Sequence, residues 1–360
     1  MKMKLVKIKT SKGERKIGLG QPVFIIAEAS SNHGGILARA KKMIDAAAEA
    51  GADAVKFQLF KAEKIAADTE DPRTIVRVAE KSVFVDHDTK LIDIYRKNEL
   101  PREWVPHLAK HASQKGIIFL ATPFDEEAVD LLESVDSPAY KVASCEMLDV
   151  PLLRKMAKTK KPIIISTGMA DIAEIHQAIN ILKKAGNNKI ILLHCRSIYP
   201  APASTIGLKA IDKMYKVFNL PVGFSDHTLG IHIPIAAVAR EACVIEKHFI
   251  LDDGVETIDA KFSLTPAELK KMVHSIREVE LALGTENKKP TKVEIKERVQ
   301  ARRSLWVVKD TKIGEKITVK NVQSLRPCIG LSPVFYDKVM GSKAAHNLKA
   351  GSPLSWKDLR

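Results

Sequence analysis

Short apolar runs rich in β-branched residues recur eight times over the first three-quarters of the chain, each followed by a stretch of helical periodicity. Alternating units of this kind pair as parallel strands joined by helical crossovers. Eight of them predict a (β/α)₈ barrel. The runs cover residues 23–29, 54–59, 116–121, 139–143, 162–166, 189–194, 221–224 and 243–247. Between them, an alanine-rich helix over 38–50 stops at Gly51, and one over 171–184 stops near Gly186, as left-handed glycine caps do. The stretch from Ala62 to Arg102 is longer than a crossover needs and predicts an inserted loop or extra helix over the barrel mouth after the second strand.

The pattern ends at Leu283-Gly284, which bounds a barrel domain of residues 1–284. Residues 285–300 are polar and lysine-rich, include Pro290 and read as a linker with room for partial helix. A second module occupies 301–360. Within it Lys312 to Val322 matches Lys349 to Leu359 in residue type, which predicts two related turn-and-strand units packed pseudo-symmetrically in a compact β-rich fold.

The formal net charge of +15 permits nucleic acid, an anionic membrane or a phosphorylated substrate as partner. The lysines are scattered, as in Lys155, Lys158, Lys160 and Lys161, without a recognition helix or interleaved aromatics, so no nucleic-acid partner is expected. No run is long and apolar enough for a membrane span, and the basic N-terminus lacks an apolar signal core. A cytoplasmic protein without a membrane partner is therefore expected. Cys145, Cys195, Cys243 and Cys328 lie far apart and show no zinc-type spacing.

Function in such a barrel gathers where strands end and βα loops begin. Those positions hold Glu28, Ser31, Asn32, His33, Lys56, Gln58, Thr122, Lys141, Ser144, Ser166, Thr167, His194, Ser197, Tyr199, Ser225, Asp226, His227, Glu246 and His248. Lys56 and Lys141 each interrupt an apolar strand, where an unpaired charge is costly to bury. Each needs an anion, supplied either by a carboxylate such as Glu28 or by a substrate phosphate or carboxylate. Ser144 and Ser225 add hydroxyls suited to phosphate oxygens. His227 and His248 close neighbouring strands and can share one metal ion, or be two satisfied core histidines. With a divalent metal the rim suits a small phosphorylated acid and an electrophile that the metal polarises.

Several strings in order, Ile26-Ala27-Glu28 with Asn32-His33-Gly34, Val55-Lys56-Phe57-Gln58, Ala121-Thr122-Pro123-Phe124, Ser166-Thr167-Gly168-Met169, Tyr199-Pro200, Ser225-Asp226-His227-Thr228 and Glu246-Lys247-His248-Phe249, resemble the sialic acid synthase family over almost the whole chain. The tail resembles that family's antifreeze-like, or SAF, domain. The resemblance implies condensation of phosphoenolpyruvate with an open-chain acetamido sugar to a nine-carbon 2-keto acid and phosphate. Tyr140 to Glu146, Asp259 to Leu264, Arg303 to Val308 and Ser324 to Pro327 lean toward the pseudaminic acid branch, with N-acetylneuraminate and legionaminic acid synthesis as alternatives.

By the same resemblance, Mn²⁺ or Mg²⁺ sits on His227 and His248, and Glu28 helps water add to the substrate. Glu246 orients metal ligands or water. Lys56, Thr122, Lys141, Ser144 and Ser225 hold phosphate and carboxylate, while Gln58, Ser197 and Tyr199 line the site. Arg326 is implied to reach the sugar in a partner subunit's barrel, hence a domain-swapped homodimer. The family's Arg-Pro-Gly is Arg326-Pro327-Cys328 here, so a local difference in that turn is expected. Two other classes stay open. One is a metal-dependent aldolase or hydrolase on the same barrel, with Lys56 or Lys141 as a Schiff-base nucleophile in its covalent form. The other is a non-catalytic carbohydrate-binding protein acting through the tail.

Overall fold

The computed structural model describes residues 5–10, 13–77, 87–252, 254–255 and 257–360. Part of the 62–102 insertion therefore lies outside the described residues. The chain divides into two compact units, Met1–Gly284 and Thr285–Arg360.

In the first unit eight parallel strands form one sheet: Phe24–Ser30, Ala54–Leu59, Ile118–Pro123, Tyr140–Val142, Ile163–Ser166, Ile190–Cys195, Val222–Asp226 and Val244–His248. They are called the first to eighth barrel strands below. The hydrogen-bonded order is third, second, first, eighth, seventh, sixth, fifth, fourth. The third and fourth pack side by side, which brings the sheet round into a barrel.

Period-two alternation sorts the side chains. Ile25, Ala27, Val55, Phe57, Phe119, Ile165, Leu192 and Ile245 face outward into the layer shared with the helices. Phe24, Ile26, Ala54, Leu120, Ala139, Ile164, Ile191 and Val244 fill the lower interior. One step further along the same inward rows stand Glu28, Lys56, Thr122, Lys141, Ser166, Ser225, Glu246 and His248, all buried. The interior is thus an apolar plug below a polar layer. At Gly223 a Cβ would lie 2.5 Å from Val244 O and 2.7 Å from a Leu193 methyl, so only glycine fits that inward position.

An antiparallel hairpin, Val6–Thr10 with Gly13–Ile17, packs Val6, Ile8 and Ile17 into the lower apolar layer. Its alternating lysines hide it in the sequence. The insertion after the second strand contains the helix Ala62–Ile65, a two-residue strand pair, Ile75–Val76 with Thr89–Lys90, and the helix Leu91–Asn98.

In the second unit residues 292–301 are helical, begun by a capping box between Thr291 and Glu294, so most of the expected linker is ordered helix. The strands Ser304–Val307 and Val322–Leu325 pair antiparallel. The repeat is structural. Gly314 and Gly351 both take left-handed φ, +81° and +85°. Ile317 and Leu354 are both fully buried. Thr318 N donates to Asn321 Oδ1 at 2.8 Å, as Ser355 N does to Asp358 Oδ2 at 2.6 Å.

Candidate active site

The first, second, fourth and eighth strands bring four charges into the sealed upper layer of the barrel. Lys56 Nζ lies 2.6 Å from Glu28 Oε2 and 3.8 Å from Glu246 Oε2. Lys141 Nζ lies 3.7 Å from Glu246 Oε1. Lys56 also donates to Thr122 Oγ1 at 3.2 Å, and Lys141 to Ser166 Oγ at 2.7 Å and to the carbonyl of Val142 at 2.9 Å. Of the two ways to satisfy the lysines, the permanent carboxylate holds for Lys56, whose tight partner is Glu28. Lys141 has only the looser Glu246, and Glu246 Oε2 makes no hydrogen bond among the described residues.

Burial, reinforced by the Glu246 charge, pushes the Glu28 carboxyl up to about 7 against the opposing pull of Lys56. Burial also works against Glu246, but Lys141, Lys56 and the Ser225 hydroxyl outweigh it and hold its pKa below the usual carboxylate range. Burial drags Lys141 down, opposed by Glu246. For Lys56 burial is overcome by Glu246 and Glu28, which raise it. Two neighbouring carboxyls thus differ in proton affinity, the condition under which one can exchange a proton near neutral pH while the other stays ionised.

His227 and His248 stand beside this layer with ring centroids 5.3 Å apart and planes inclined at 60°. His227 Nδ1 lies 2.8 Å from the carbonyl oxygen of Arg196, which can only accept, so Nδ1 carries the proton and Nε2 keeps its lone pair. Burial depresses both imidazoles, His248 well below the ordinary range with help from the His227 charge. Neutral imidazoles are what a metal takes as ligands. Two neutral imidazoles this close would suit one shared metal ion. No cluster of three histidine, cysteine or acidic side chains suited to a metal occurs among the described residues. Tyr199, with its ring 4.3 Å from that of His227, and Phe262, 4.9 Å from His248, wall the pair on one side.

Other expected residues fall into place individually. Gln58 Nε2 donates to Glu28 Oε1 at 3.3 Å. Ser144 Oγ accepts from Gly168 N at 2.9 Å, and a Cβ on Gly168 would stand 2.3 Å from the Ser197 hydroxyl. Three residues of the rim have partners within the barrel. The Ser225 hydroxyl is engaged, donating to Glu246 at 3.0 Å. Glu246 accordingly belongs between the two lysines as well as beside His227. Asp226, adjacent to a histidine in sequence, faces away and binds Lys247 Nζ at 2.7 Å, both side chains fully buried. Arg326 belongs to the second unit, where its Nε donates to Ala301 O at 2.6 Å; the neighbouring Cys328 N donates to Val299 O at 2.7 Å.

The structure adds residues that the strand-end reading did not single out for a role. Glu146 is a half-buried carboxyl that desolvation pushes up to about 7, with one oxygen unpaired among the described residues. Asp259, from the loop after the eighth strand, reaches Ser30 and lies 3.7 Å from His248 Nδ1. Both lie inside strings that carried the family resemblance, which was the only signal for them.

The NeuB family signature matches residues 43–288 and the SAF domain signature residues 302–360. The N,N'-diacetyllegionaminic acid synthase of Campylobacter jejuni is 43% identical over 332 residues, 91% of this chain and 97% of that protein. The pseudaminic acid synthase of the same organism is 40% identical over 338 residues, 94% and 97% of the two chains. The crystal structure of N-acetylneuraminic acid (sialic acid) synthetase from Leptospira borgpetersenii superposes with a TM-score of 0.71 at 34% identity, covering 81% of this chain and 95% of that one.

Proposed function

The chain belongs to the NeuB family and carries a SAF domain, and from that premise we propose that it condenses phosphoenolpyruvate with a 2,4-diacetamido-2,4,6-trideoxyhexose. The product is a nine-carbon 2-keto sugar acid, with phosphate released. The altrose epimer, which leads to pseudaminic acid, is the first reading, carried by the lining strings around Ser144 and Asp259. Legionaminic acid synthesis is the second, favoured by the 43% identity to a protein of that name.

The observation that carries the reading is the convergence of Lys56, Lys141, Glu28 and Glu246 beside two neutral imidazoles. Lys56, Thr122, Lys141, Ser144 and Ser225 bind the phosphate and carboxylate of phosphoenolpyruvate. His227 and His248 would hold Mn²⁺ or Mg²⁺, which would supply Lewis-acid polarisation of the sugar aldehyde. Gln58, Ser197 and Tyr199 orient that sugar so that C3 of phosphoenolpyruvate bonds to the aldehyde carbon, whose oxygen is left as an alkoxide. Positive charge develops at C2, which the ionised Glu246 is suited to stabilise. Glu28 accepts a proton from the water that adds at C2, and that proton goes on to the alkoxide, which becomes a hydroxyl. The tetrahedral adduct then breaks its C–O bond to phosphate, and its C2 hydroxyl passes its proton to the departing phosphate as it becomes the ketone. Arg326 is assigned to the sugar in a second copy of the chain, in a swapped homodimer.

The test is a panel of N-acetylmannosamine and the two diacetamido-trideoxyhexose epimers with phosphoenolpyruvate, scored by phosphate release and product mass. Release with none of the three overturns the synthase reading. Borohydride trapping of a lysine adduct would favour the Schiff-base aldolase instead.

A further inference from the structure

The first barrel strand ends irregularly. Its pairing with the second strand shifts register between Glu28 and Ser30, and Ser30 takes φ +48° while almost fully buried. A left-handed backbone costs a serine about 1 kcal/mol that a glycine does not incur. What the bulge gains is the direction of one hydroxyl. Ser30 Oγ accepts from Gln58 Nε2 at 2.9 Å and donates to Asp259 Oδ2. Gln58 Nε2 also reaches Glu28 Oε1 at 3.3 Å. Asp259 Oδ2 lies 3.7 Å from His248 Nδ1, a buried nitrogen without a hydrogen-bond partner among the described residues.

We propose that Ser30 is a positioning residue whose hydroxyl holds the Asp259 carboxylate toward His248 and the Gln58 amide toward Glu28, coupling the metal side of the site to its proton-transfer side. The proposal rests on the functional reading above only for the metal at His248. A histidine that ligates a metal donates its other ring N–H to an acceptor, which fixes the ring and strengthens the ligand. Asp259 is the carboxylate placed to do this, and Ser30 restrains its swing. Without the hydroxyl, Asp259 loses that restraint and the Gln58 amide keeps only its longer contact with Glu28.

Ser30→Gly separates this role from a structural one, because it relieves the backbone while removing the hydroxyl. Its Tm is expected to equal or exceed that of the wild type. Its Mn²⁺ affinity, measured by calorimetry without substrates, is expected to fall about 10-fold. KM for the sugar should rise with KM for phosphoenolpyruvate unchanged. Ser30→Ala keeps the strained backbone and should show the same Mn²⁺ loss. Wild-type Mn²⁺ affinity in either folded variant overturns the proposal, as does a wild-type protein that binds no Mn²⁺. A wild-type protein that binds Mn²⁺ but releases no phosphate from phosphoenolpyruvate refutes the synthase reading alone, and the Mn²⁺ comparison still decides the role of Ser30.

Discussion

Glu28→Gln offers a measurement in which the charge arrangement of the upper barrel layer is read as stability. A rise of the Glu28 pKa from 4.5 to about 7, set first by burial and then by the Glu246 charge, corresponds to about 3 kcal/mol between the two protonation states. The folded chain binds this proton more tightly than the unfolded chain, so stability falls as pH rises. The loss is absent well below pH 4.5, grows between 4.5 and about 7, and is complete above. Glutamine does not titrate. It also deprives Lys56 of its 2.6 Å partner, but that penalty is constant while the lysine stays charged.

The difference in unfolding free energy between variant and wild type should therefore shift by about 2 to 3 kcal/mol in favour of the variant between pH 5 and pH 8.5. Urea titrations of the full-length protein at the two pH values, read by a probe of the barrel transition, give that shift directly. A difference that is the same at both values would refute the raised pKa and with it the assignment of Glu28 as the group that exchanges a proton near neutrality.

Changing His227 and His248 together to alanine should abolish most phosphate release and Mn²⁺ binding while the barrel stays folded; retained turnover would sink the metal assignment. Asp226→Asn leaves the ammonium of Lys247 buried without its countercharge and is expected to cost about 3 to 5 kcal/mol in denaturant titrations. Pairing Asp226→Leu with Lys247→Met should restore much of that loss, and a double variant no better than the single would refute the ion-pair account. Gly168→Ala forces a methyl to within 2.3 Å of the Ser197 hydroxyl and 2.8 Å of that of Ser144. About 1 to 3 kcal/mol of overpacking is expected, visible as a lower Tm and a higher KM for phosphoenolpyruvate.

The barrel was legible because parallel strands covered on both faces read as near-continuous apolar runs, and Lys56, Lys141 and Glu246 stood out inside them. Boundaries moved where backbone chemistry outweighed hydrophobicity. The third strand begins at Ile118 because Gly116 is used at φ +71° to end the preceding helix. The strand pair Val6–Thr10 and Gly13–Ile17 was not read because only Val6, Ile8 and Ile17 face the interior and the alternate positions are charged or polar. The helix over 292–301 carried its signal openly, a Thr291 to Glu294 capping box, but Pro290 and the lysines masked it. The Ser30 bulge leaves no mark in residue type, since a slipped register changes which face a serine occupies without changing the serine. Asp259 meets Ser30 and His248 from a loop, where residue type carries no periodic signal.

The spacing of the charges bears on why such a layer exists. Buried ion pairs seldom stabilise a fold better than apolar residues of similar shape, so a sealed layer with two ammoniums and two carboxyls needs another reason. Each lysine has three donors, and hydrogen bonds and the tight Glu28 contact engage two on each. Glu246 lies 3.7 to 3.8 Å from both nitrogens, beyond hydrogen-bond reach. Glu246 therefore balances the charge without filling the donors. On the proposed function, a phosphate or carboxylate oxygen bound between the lysines would complete their hydrogen bonding, and its negative charge would raise the proton affinity of Glu28 further. Anion binding and protonation of Glu28 would then be linked through Lys56, which would give a layer that is a poor device for stability a use in holding an anion beside a carboxyl ready to exchange its proton.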